Sequence, residues 1–446
     1  MKVSKFNIGN LFLITALGML VLGMFFGILA ASVYIFPDFM KNQLGFVSLR
    51  PLHVSLAIFW IILGSTGCIY NGLKQHIIEV KTYKIAFVQW ALWIIAIIGI
   101  VISYFTKDFG GREYWEFNPI WALPIAIAWI LFLLNFYPIV KKIKDWPVYI
   151  WMWLTGVLFF LFTFSENYLW VFPYFREHFI TDMTIQWKVN GSLVGSWNQI
   201  LYGTAIFLMD KISNTKNTGR SKFAFFMYFL GLFNLMFNWG HHIYTLPTEK
   251  YIRYIGYIVS MTEWVFFIKI VFDWKKSLTT IQKNYHYFPY KFIMATDIWV
   301  FINMGQAILM SIPAINKYTH GTHITVAHAM GTTIGINTMI LLAACFEFFN
   351  NKDKRKRLNY LFWLLQLSLL VFWVSLNIAG IQKGIWQLSI NQGSYSKMME
   401  SLRPYFIAFV FAGIGLLITL SSFAFILINS AIRNKAMNKE EIKNEQ

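Results

Sequence analysis

Most histidines in this sequence lie in or next to segments that are long and apolar enough to span a membrane. Five of the nine histidines lie in or at the ends of long apolar segments. They are His53, His241, His242, His320 and His328, and Met330 follows the last by two residues. Imidazole and thioether groups are the axial ligands that proteins supply to haem iron. Because a ligating group inside a bilayer is costly and usually functional, this set predicts a metal or haem centre within the membrane.

The composition is that of an integral membrane protein. Of the 446 residues, 57% are hydrophobic and 13% are charged, whereas soluble domains carry about 25% charged residues. We predict an all-α bundle of twelve transmembrane helices, because twelve apolar segments are long enough to cross about 30 Å of hydrocarbon. The segments are 11–36, 50–72, 84–105, 119–142, 149–172, 185–210, 221–245, 252–273, 288–314, 319–348, 357–383 and 403–431. No connection is long enough to fold separately, so we expect one membrane domain over residues 1–446, with a short polar tail from about residue 432.

The basic residues follow the sides of the predicted membrane. The formal net charge of +18 could suggest a nucleic-acid partner, but Lys and Arg cluster on one side of the bundle. They lie at the N-terminus, at 73–84, 141–144, 211–222, 275–283 and 352–357, and in the C-terminal tail, whereas loops 106–118 and 173–184 are mixed or acidic. Basic loops stay in the cytoplasm. We therefore expect both termini there, lipid as the surroundings and no nucleic acid.

The cysteines limit how a haem could be held. Cys68 and Cys345 both lie within predicted spans, and no C-x-x-C-H attachment site is present. Any haem is therefore bound non-covalently.

His328 and Met330 could serve two flat cofactors from one helix. Positions i and i+2 lie about 200° apart around a helix, so the two side chains point to opposite faces. The structural alternative is a core histidine beside a packing methionine, since methionine is common in apolar segments. Three histidines within residues 320–328 favour ligation, because packing alone rarely places so many in a membrane segment.

Two further histidine groups have weaker individual signals. Adjacent residues on a helix lie about 100° apart, so His241 and His242 could lean toward one metal, and imidazole suits Fe, Cu or Zn. The structural alternative is a polar cluster at a helix end, since Pro247 follows closely. His53 comes just after Arg50, whose guanidinium could bind a haem propionate through bidentate hydrogen bonds; a snorkelling arginine beside a histidine is also common.

These motifs together resemble the large, cytochrome b subunit of bacterial nitric oxide reductases, in the haem-copper oxidase superfamily. The resemblance covers essentially the whole chain. The motifs that carry it, in chain order, are Leu49-Arg50-Pro51-Leu52-His53, Gly111-Arg112-Glu113-Tyr114-Trp115-Glu116, Gly240-His241-His242-Ile243-Tyr244, the segment Ile255 to Glu263, and Tyr318-Thr319-His320-Gly321-Thr322 through His328.

The resemblance implies two haem b groups, a non-haem iron and a calcium. By it, His53 binds the low-spin haem, His328 binds the high-spin haem, and His241 and His242 hold the non-haem iron. His320 and Arg50 lie at the haem propionates, and Glu113 binds calcium. Glu263 lies near the metal pair as the main acid. The family setting is a bacterial cytoplasmic membrane with a periplasmic monohaem cytochrome c partner.

The sequence departs from the family pattern at the second metal and at the low-spin haem. Met330 stands where the family has a second haem histidine. This predicts that His53 and Met330 bind the low-spin haem, and that its reduction potential is higher than with two histidine ligands. Asn190 stands where a third metal histidine is expected, and an amide oxygen is a weaker, neutral donor. Val194 and Asn198 replace acids that follow in the family. With these acids replaced, Glu263 becomes the main acid expected near the metal pair.

Several functions remain open from the sequence. The first is reduction of nitric oxide to N₂O. The second is dismutation of nitric oxide to N₂ and O₂, because the residues at 190, 194 and 330 resemble the substitutions of the nitric oxide dismutase branch of the family. Oxygen reduction is disfavoured, because oxygen-reducing relatives use a histidine–tyrosine cross-link that Asn190 cannot form. A haem-based sensor or electron-transfer subunit, and a transporter without haem, are the alternatives outside these enzymes.

Overall fold

The computed structural model describes residues 7–74, 80–260, 264–349, 355–390 and 392–444 of the chain, and it is almost entirely helical. The helices are α1 (Ile8–Ser32), α2 (Gly45–Gly72), α3 (Val80–Phe105), α4 (Ala122–Val140), α5 (Val148–Glu166), α6 (Pro173–Arg176), α7 (Phe179–Ser213), α8 (Lys222–Phe237), α9 (Lys250–Ser260), α10 (Trp264–Ser277), α11 (Thr280–Tyr285), α12 (Tyr287–Ser311), α13 (Pro313–Thr319), α14 (His323–Met330), α15 (Met339–Phe348), α16 (Arg355–Leu388) and α17 (Tyr395–Asn444). Short 3₁₀ segments occupy Pro119–Trp121, Leu169–Val171 and Asn238–Ile243, and a π-helical segment, Gly331–Thr338, joins α14 to α15.

The predicted twelve-helix bundle is confirmed in outline. Within the described residues, ten helices or helix pairs are long and apolar enough to cross a membrane. The predicted span 185–210 lies inside α7, which has 35 residues. The predicted span 252–273 corresponds to α9 and α10, and residues 261–263 between them lie outside the described part of the chain.

One boundary differs in a way that matters for the site. The segment predicted to span from residue 319 begins at His323 instead. Gly321 has a φ angle of +70°, a left-handed conformation that glycine adopts without steric cost. This turn separates α13 from α14, so His320 lies in a loop rather than in the span.

A two-stranded hairpin closes one end of the bundle. Strands β1 (Phe109–Arg112) and β2 (Trp115–Phe117) pair antiparallel, and Tyr114 at their turn has a φ angle of +72°. Gly111 packs so tightly against the Trp115 carbonyl that a side chain there would collide with it. We call this end the hairpin side; the charge pattern predicts that it is periplasmic.

Two spans lie at the centre of the bundle. In α2 and in the span His323–Phe348, 83% of the most apolar stretch is buried, against 33 to 50% in the other spans. The Trp60 indole N–H donates to the Thr338 hydroxyl at 2.9 Å, which joins α2 to the π segment. Single π turns within helices often occur at functional sites. The two central spans carry His53, His328 and Met330.

Candidate metal centre

A large cavity between the central helices gathers most of the residues predicted from the sequence. Its volume is about 570 Å³, within the roughly 300–1,000 Å³ that ligand sites occupy. The predicted residues that line it are His53, Glu113, Asn190, His241, His242, His320, His328 and Met330. Arg50 does not line it, and Glu263 lies outside the described residues. Residues from segments far apart in the chain therefore meet at one site.

His53 is oriented by α1. Its Nδ1 atom lies 2.7 Å from the Gly23 carbonyl, so Nδ1–H donates to that oxygen and Nε2 is left unprotonated for a metal. Such a hydrogen bond from the second ring nitrogen is the usual way that proteins orient a ligating histidine. The ring rests against Gly27, where a Cβ atom would lie 2.6 Å from Nδ1.

Met330 shares a small side pocket with His53. That pocket has a volume of about 20 Å³ and also touches Gly23 and Trp60. His328 is not part of its lining, although both His328 and Met330 line the large cavity. Met330 therefore lies beside His53 in this side pocket, and its assignment to a different group from His328 stays a prediction.

His328 is held from its backbone. The Asn303 amide donates to the His328 carbonyl at 3.0 Å and to the Thr332 hydroxyl at 2.8 Å. The Nδ1 atom of His328 is buried and makes no hydrogen bond to any residue that the structure describes. The backbone position of His328 is thus fixed, whereas no acceptor among the described residues sets the rotation of its ring.

The histidine pair lies on the 3₁₀ segment Asn238–Ile243. The rings of His241 and His242 have their centroids 4.2 Å apart and are tilted by 31°, so both face the same region. The His242 ring packs on the backbone of α7 at Gly191, where a Cβ atom would lie 2.6 Å from Nε2. Gly256 of α9 supports the other side, since a Cβ there would lie 2.9 Å from the His241 backbone nitrogen.

Asn190 adds an amide oxygen to the donors that line the cavity. It neighbours Gly191 on α7, is 6% exposed, and its Oδ1 atom makes no hydrogen bond within the described part of the chain. Among the described residues, no cluster of three or more His, Cys, Asp or Glu side chains is placed to hold a metal. The two imidazoles and the Asn190 amide oxygen line the same cavity, and they are the donors that a metal beside the histidine pair would have among these residues.

The cavity wall near the histidine pair is neutral. Val194 and Asn198 line it one and two turns after Asn190, and the Oδ1 atom of Asn198 is buried without a hydrogen-bond partner among the described residues. Of the lining residues within the described ranges, Glu113 is the only acid. This wall offers weak ligands and no internal carboxylate.

The hairpin side carries the charged groups of the site. Arg50 forms an ion pair with Glu116 of β2, while Glu113 and Tyr114 at the turn line the cavity. Burial raises the pKa of Glu116, and the nearby Arg50 offsets part of that rise. His320 lies against Trp187, with ring centroids 5.4 Å apart, and burial lowers its pKa so that the imidazole is neutral near pH 7.

One charged pair near the site was not predicted from the sequence. Lys188 of α7 forms an ion pair with Glu166 at the end of α5, and its ammonium lies 5.6 Å from the centroid of the Trp239 ring. Glu166 matched no motif, and its partner is 22 residues away on another helix. Only the appearance of both signs of charge in adjacent apolar segments could have suggested the pair.

A family model described as "Cytochrome C and Quinol oxidase polypeptide I" matches residues 7–418. The chain belongs to this family. It is therefore a multi-pass membrane oxidoreductase of the haem-copper oxidase superfamily, whose subunit I binds haem. Membership argues against a transporter.

The similar proteins within the superfamily include both nitric oxide reductases and oxidases. A nitric oxide reductase subunit of Stutzerimonas stutzeri is 24% identical over 89% of this chain and 90% of its own length. Cytochrome c oxidase subunit 1 of Rhodobacter capsulatus is 23% identical over 85% of this chain and 75% of its own length. A cryo-EM structure of a haem-copper terminal oxidase dimer matches with a TM-score of 0.73 and 14% identity, over 96% of this chain and 84% of that one. The last comparison supports the fold alone.

The contact between Gly27 and His53 predicts a selective defect. We expect Gly27→Ala to push the imidazole off its position, because overpacking costs about 1–3 kcal/mol. Since each 1.4 kcal/mol is about tenfold in affinity, low-spin haem binding should weaken roughly fivefold or more. The reduced absorption spectrum of purified protein measures this. Gly18→Ala on the same helix, where nothing lies within 4 Å of the added Cβ, is the control, and equal spectra for both variants would contradict the assignment of His53.

The contact between Gly191 and His242 predicts the complementary defect. We expect Gly191→Ala to displace the His242 ring and to lower the ratio of non-haem metal to haem, while the haem spectrum is kept. Metal analysis alongside a haem assay gives the ratio. Gly305→Ala on α12, which also has open space at the added Cβ, should behave as wild type. An unchanged ratio in Gly191→Ala would mean that His242 does not bind metal.

Proposed function

We propose that this protein reduces nitric oxide at a paired haem and non-haem iron, by the reaction 2 NO + 2 e⁻ + 2 H⁺ → N₂O + H₂O. The observation that supports it is the meeting of His328 with the His241–His242 pair and Asn190 on one cavity. Two metal positions on one cavity suit a reaction that joins two small molecules. The likeness to a nitric oxide reductase over most of both chains supports the same substrate.

The chain's residues divide between three groups in this proposal. His53, with its ring held by Gly23, and Met330 bind a low-spin haem b, and His328 binds a high-spin haem b. His241, His242 and Asn190 hold the non-haem iron. When bound, the irons would supply electrons and stabilise negative charge on the nitrogen oxides.

The hairpin side provides the remaining roles. Arg50 and His320 lie at the haem propionates, and Glu113 binds calcium, in this proposal. The Arg50–Glu116 ion pair holds the hairpin onto α2, so the hairpin would cover the propionate end of the haems. Glu263, the acid that the family resemblance puts near the metals, would complete the site.

A cytochrome c partner is the proposed electron donor, in a bacterial cytoplasmic membrane with both termini in the cytoplasm. The chain has no C-x-x-C-H motif and so carries no covalently bound haem of its own. The mixed and acidic loops 106–118 and 173–184 include the hairpin, and they offer a surface for a basic partner on the proposed periplasmic side.

Oxygen reduction is a poorer fit to this cavity. The family resemblance associates oxygen chemistry with a metal-ligand histidine cross-linked to tyrosine. Asn190 stands at that histidine position and is buried beside Gly191. An amide cannot form the cross-link, and it is a weaker ligand than imidazole.

Dismutation of nitric oxide, 2 NO → N₂ + O₂, is the second candidate. The neutral wall of Asn190, Val194 and Asn198 favours it, because dismutation needs no net protons or electrons. Among the described lining residues, Glu113 on the hairpin side is the only acid. Reduction consumes two protons per turnover and would need a carrier closer to the metals.

Isotope-labelled nitric oxide separates the two activities. For a reductase we expect N₂O when purified protein receives an electron donor, and no gas without one. Release of N₂ and O₂ without donor would instead establish dismutation, and the double variant Asn190→His/Val194→Glu should then shift the product toward N₂O. Mass spectrometry of the gases is the measurement. A protein loaded with haem and iron that makes none of these products would contradict both activities and favour a sensor.

A further inference from the structure

One face of α7 carries three successive contacts with the segment that holds the histidine pair. Lys188 lies over the Trp239 ring, Gly191 receives the His242 ring, and Gly195 faces Leu235, where a Cβ would lie 2.7 Å from Cδ1. Spacings of three and four residues put 188, 191 and 195 on one side of a helix. Leu235 therefore lies at the Gly195 end of this stripe, Trp239 lies at the Lys188 end, and His242 lies between them.

The first of these contacts is made by a charged residue in an apolar setting. The Lys188 and Glu166 side chains are only 18% and 19% exposed. A charge inside a bilayer is costly and normally paired or functional. Glu166 offsets the lysine charge and also limits where the ammonium can lie, because it fixes Lys188 between the end of α5 and the Trp239 ring.

Trp239 transmits that restraint toward the histidines. Its indole N–H donates to the Met236 carbonyl at 2.6 Å, which fixes the ring relative to its own segment. The ammonium of Lys188, at 5.6 Å from the ring centroid, lies within the range of about 6 Å for a cation–π contact. His241 and His242 follow Trp239 by two and three residues.

The local backbone needs such an anchor. The histidines lie on a 3₁₀ segment, whose hydrogen-bond geometry is poorer than that of an α-helix. Gly256 supports the segment at Gly240 and His241 from the α9 side. The contact of Lys188 with Trp239 adds a second support, from α7, close in the chain to both imidazoles.

We propose that Lys188, held by Glu166, is a positioning residue for the metal site of His241 and His242, and that it acts through Trp239. The inference rests on the proposed function for the presence of a non-haem metal. It assigns to this ion pair a role beyond joining α5 to α7.

Four variants separate positioning from a simple link between helices. Lys188→Met removes the ion pair with Glu166 and the contact with the Trp239 ring. Lys188→Arg keeps both, because a guanidinium also pairs with a carboxylate and stacks on aromatic rings. Trp239→Leu keeps the ion pair and removes the ring. The exchange Glu166→Lys/Lys188→Glu keeps an ion pair but puts a carboxylate where the cation lay.

The measurement is the affinity of metal-depleted protein for Fe²⁺, with the spectroscopic signature of the non-haem iron and the haem spectrum recorded in parallel. We expect Lys188→Met, Trp239→Leu and the exchanged pair to bind Fe²⁺ about tenfold more weakly. Lys188→Arg should bind as wild type. An unchanged haem spectrum shows that each variant has folded, and Trp239→Leu remains decisive if Lys188→Met does not assemble.

The outcomes distinguish this inference from the proposed function. Wild-type iron affinity in Lys188→Met or Trp239→Leu would overturn the inference, and so would recovery of affinity in the exchanged pair, because a simple link would then suffice. Wild-type protein that binds no non-haem metal would also overturn it. Protein that binds the metal but does not convert nitric oxide would contradict the proposed function alone, since the affinities of the variants do not depend on the substrate.

Discussion

The arrangement of this site depends on close approach between imidazole rings and helix backbones. His53 can occupy its place because Gly27 on α1 has no side chain, and His242 can do so because of Gly191 on α7. Gly240 and Gly256 bring the histidine segment and α9 into direct backbone contact in the same way. In a closely packed interior even one added methylene is felt, so these glycines set where the donors can be.

Charge is confined to a few places around the cavity. The ion pairs Arg50–Glu116 and Lys188–Glu166 lie toward the hairpin side, and the wall at Asn190, Val194 and Asn198 is neutral. The cavity wall therefore offers weak, uncharged donors, and the charged side chains lie toward the hairpin side as ion pairs. The metal pair that we propose is therefore held by geometry more than by charged ligands, which makes the positioning of His241 and His242 important.

The membrane bundle and most of the cavity could be predicted from the sequence, because both leave local signals. Apolar runs of about twenty residues mark spans, and His53, His241, His242 and His328 are conspicuous within them. The loop position of His320 was missed, since it depends on the left-handed Gly321. The partners of Arg50 and Lys188 were also missed, because an ion pair between helices follows from packing and has no fixed spacing in the chain. The hairpin was too short for a periodic pattern to predict it.

The proposed function requires one cavity to hold a non-haem iron next to a haem. Total iron and haem, determined on the same purified sample together with copper and zinc, test it most directly. We expect about three irons for every two haems, with the additional iron lost when both His241 and His242 are changed to alanine. Iron equal to haem, with copper or no second metal in its place, would contradict the claim.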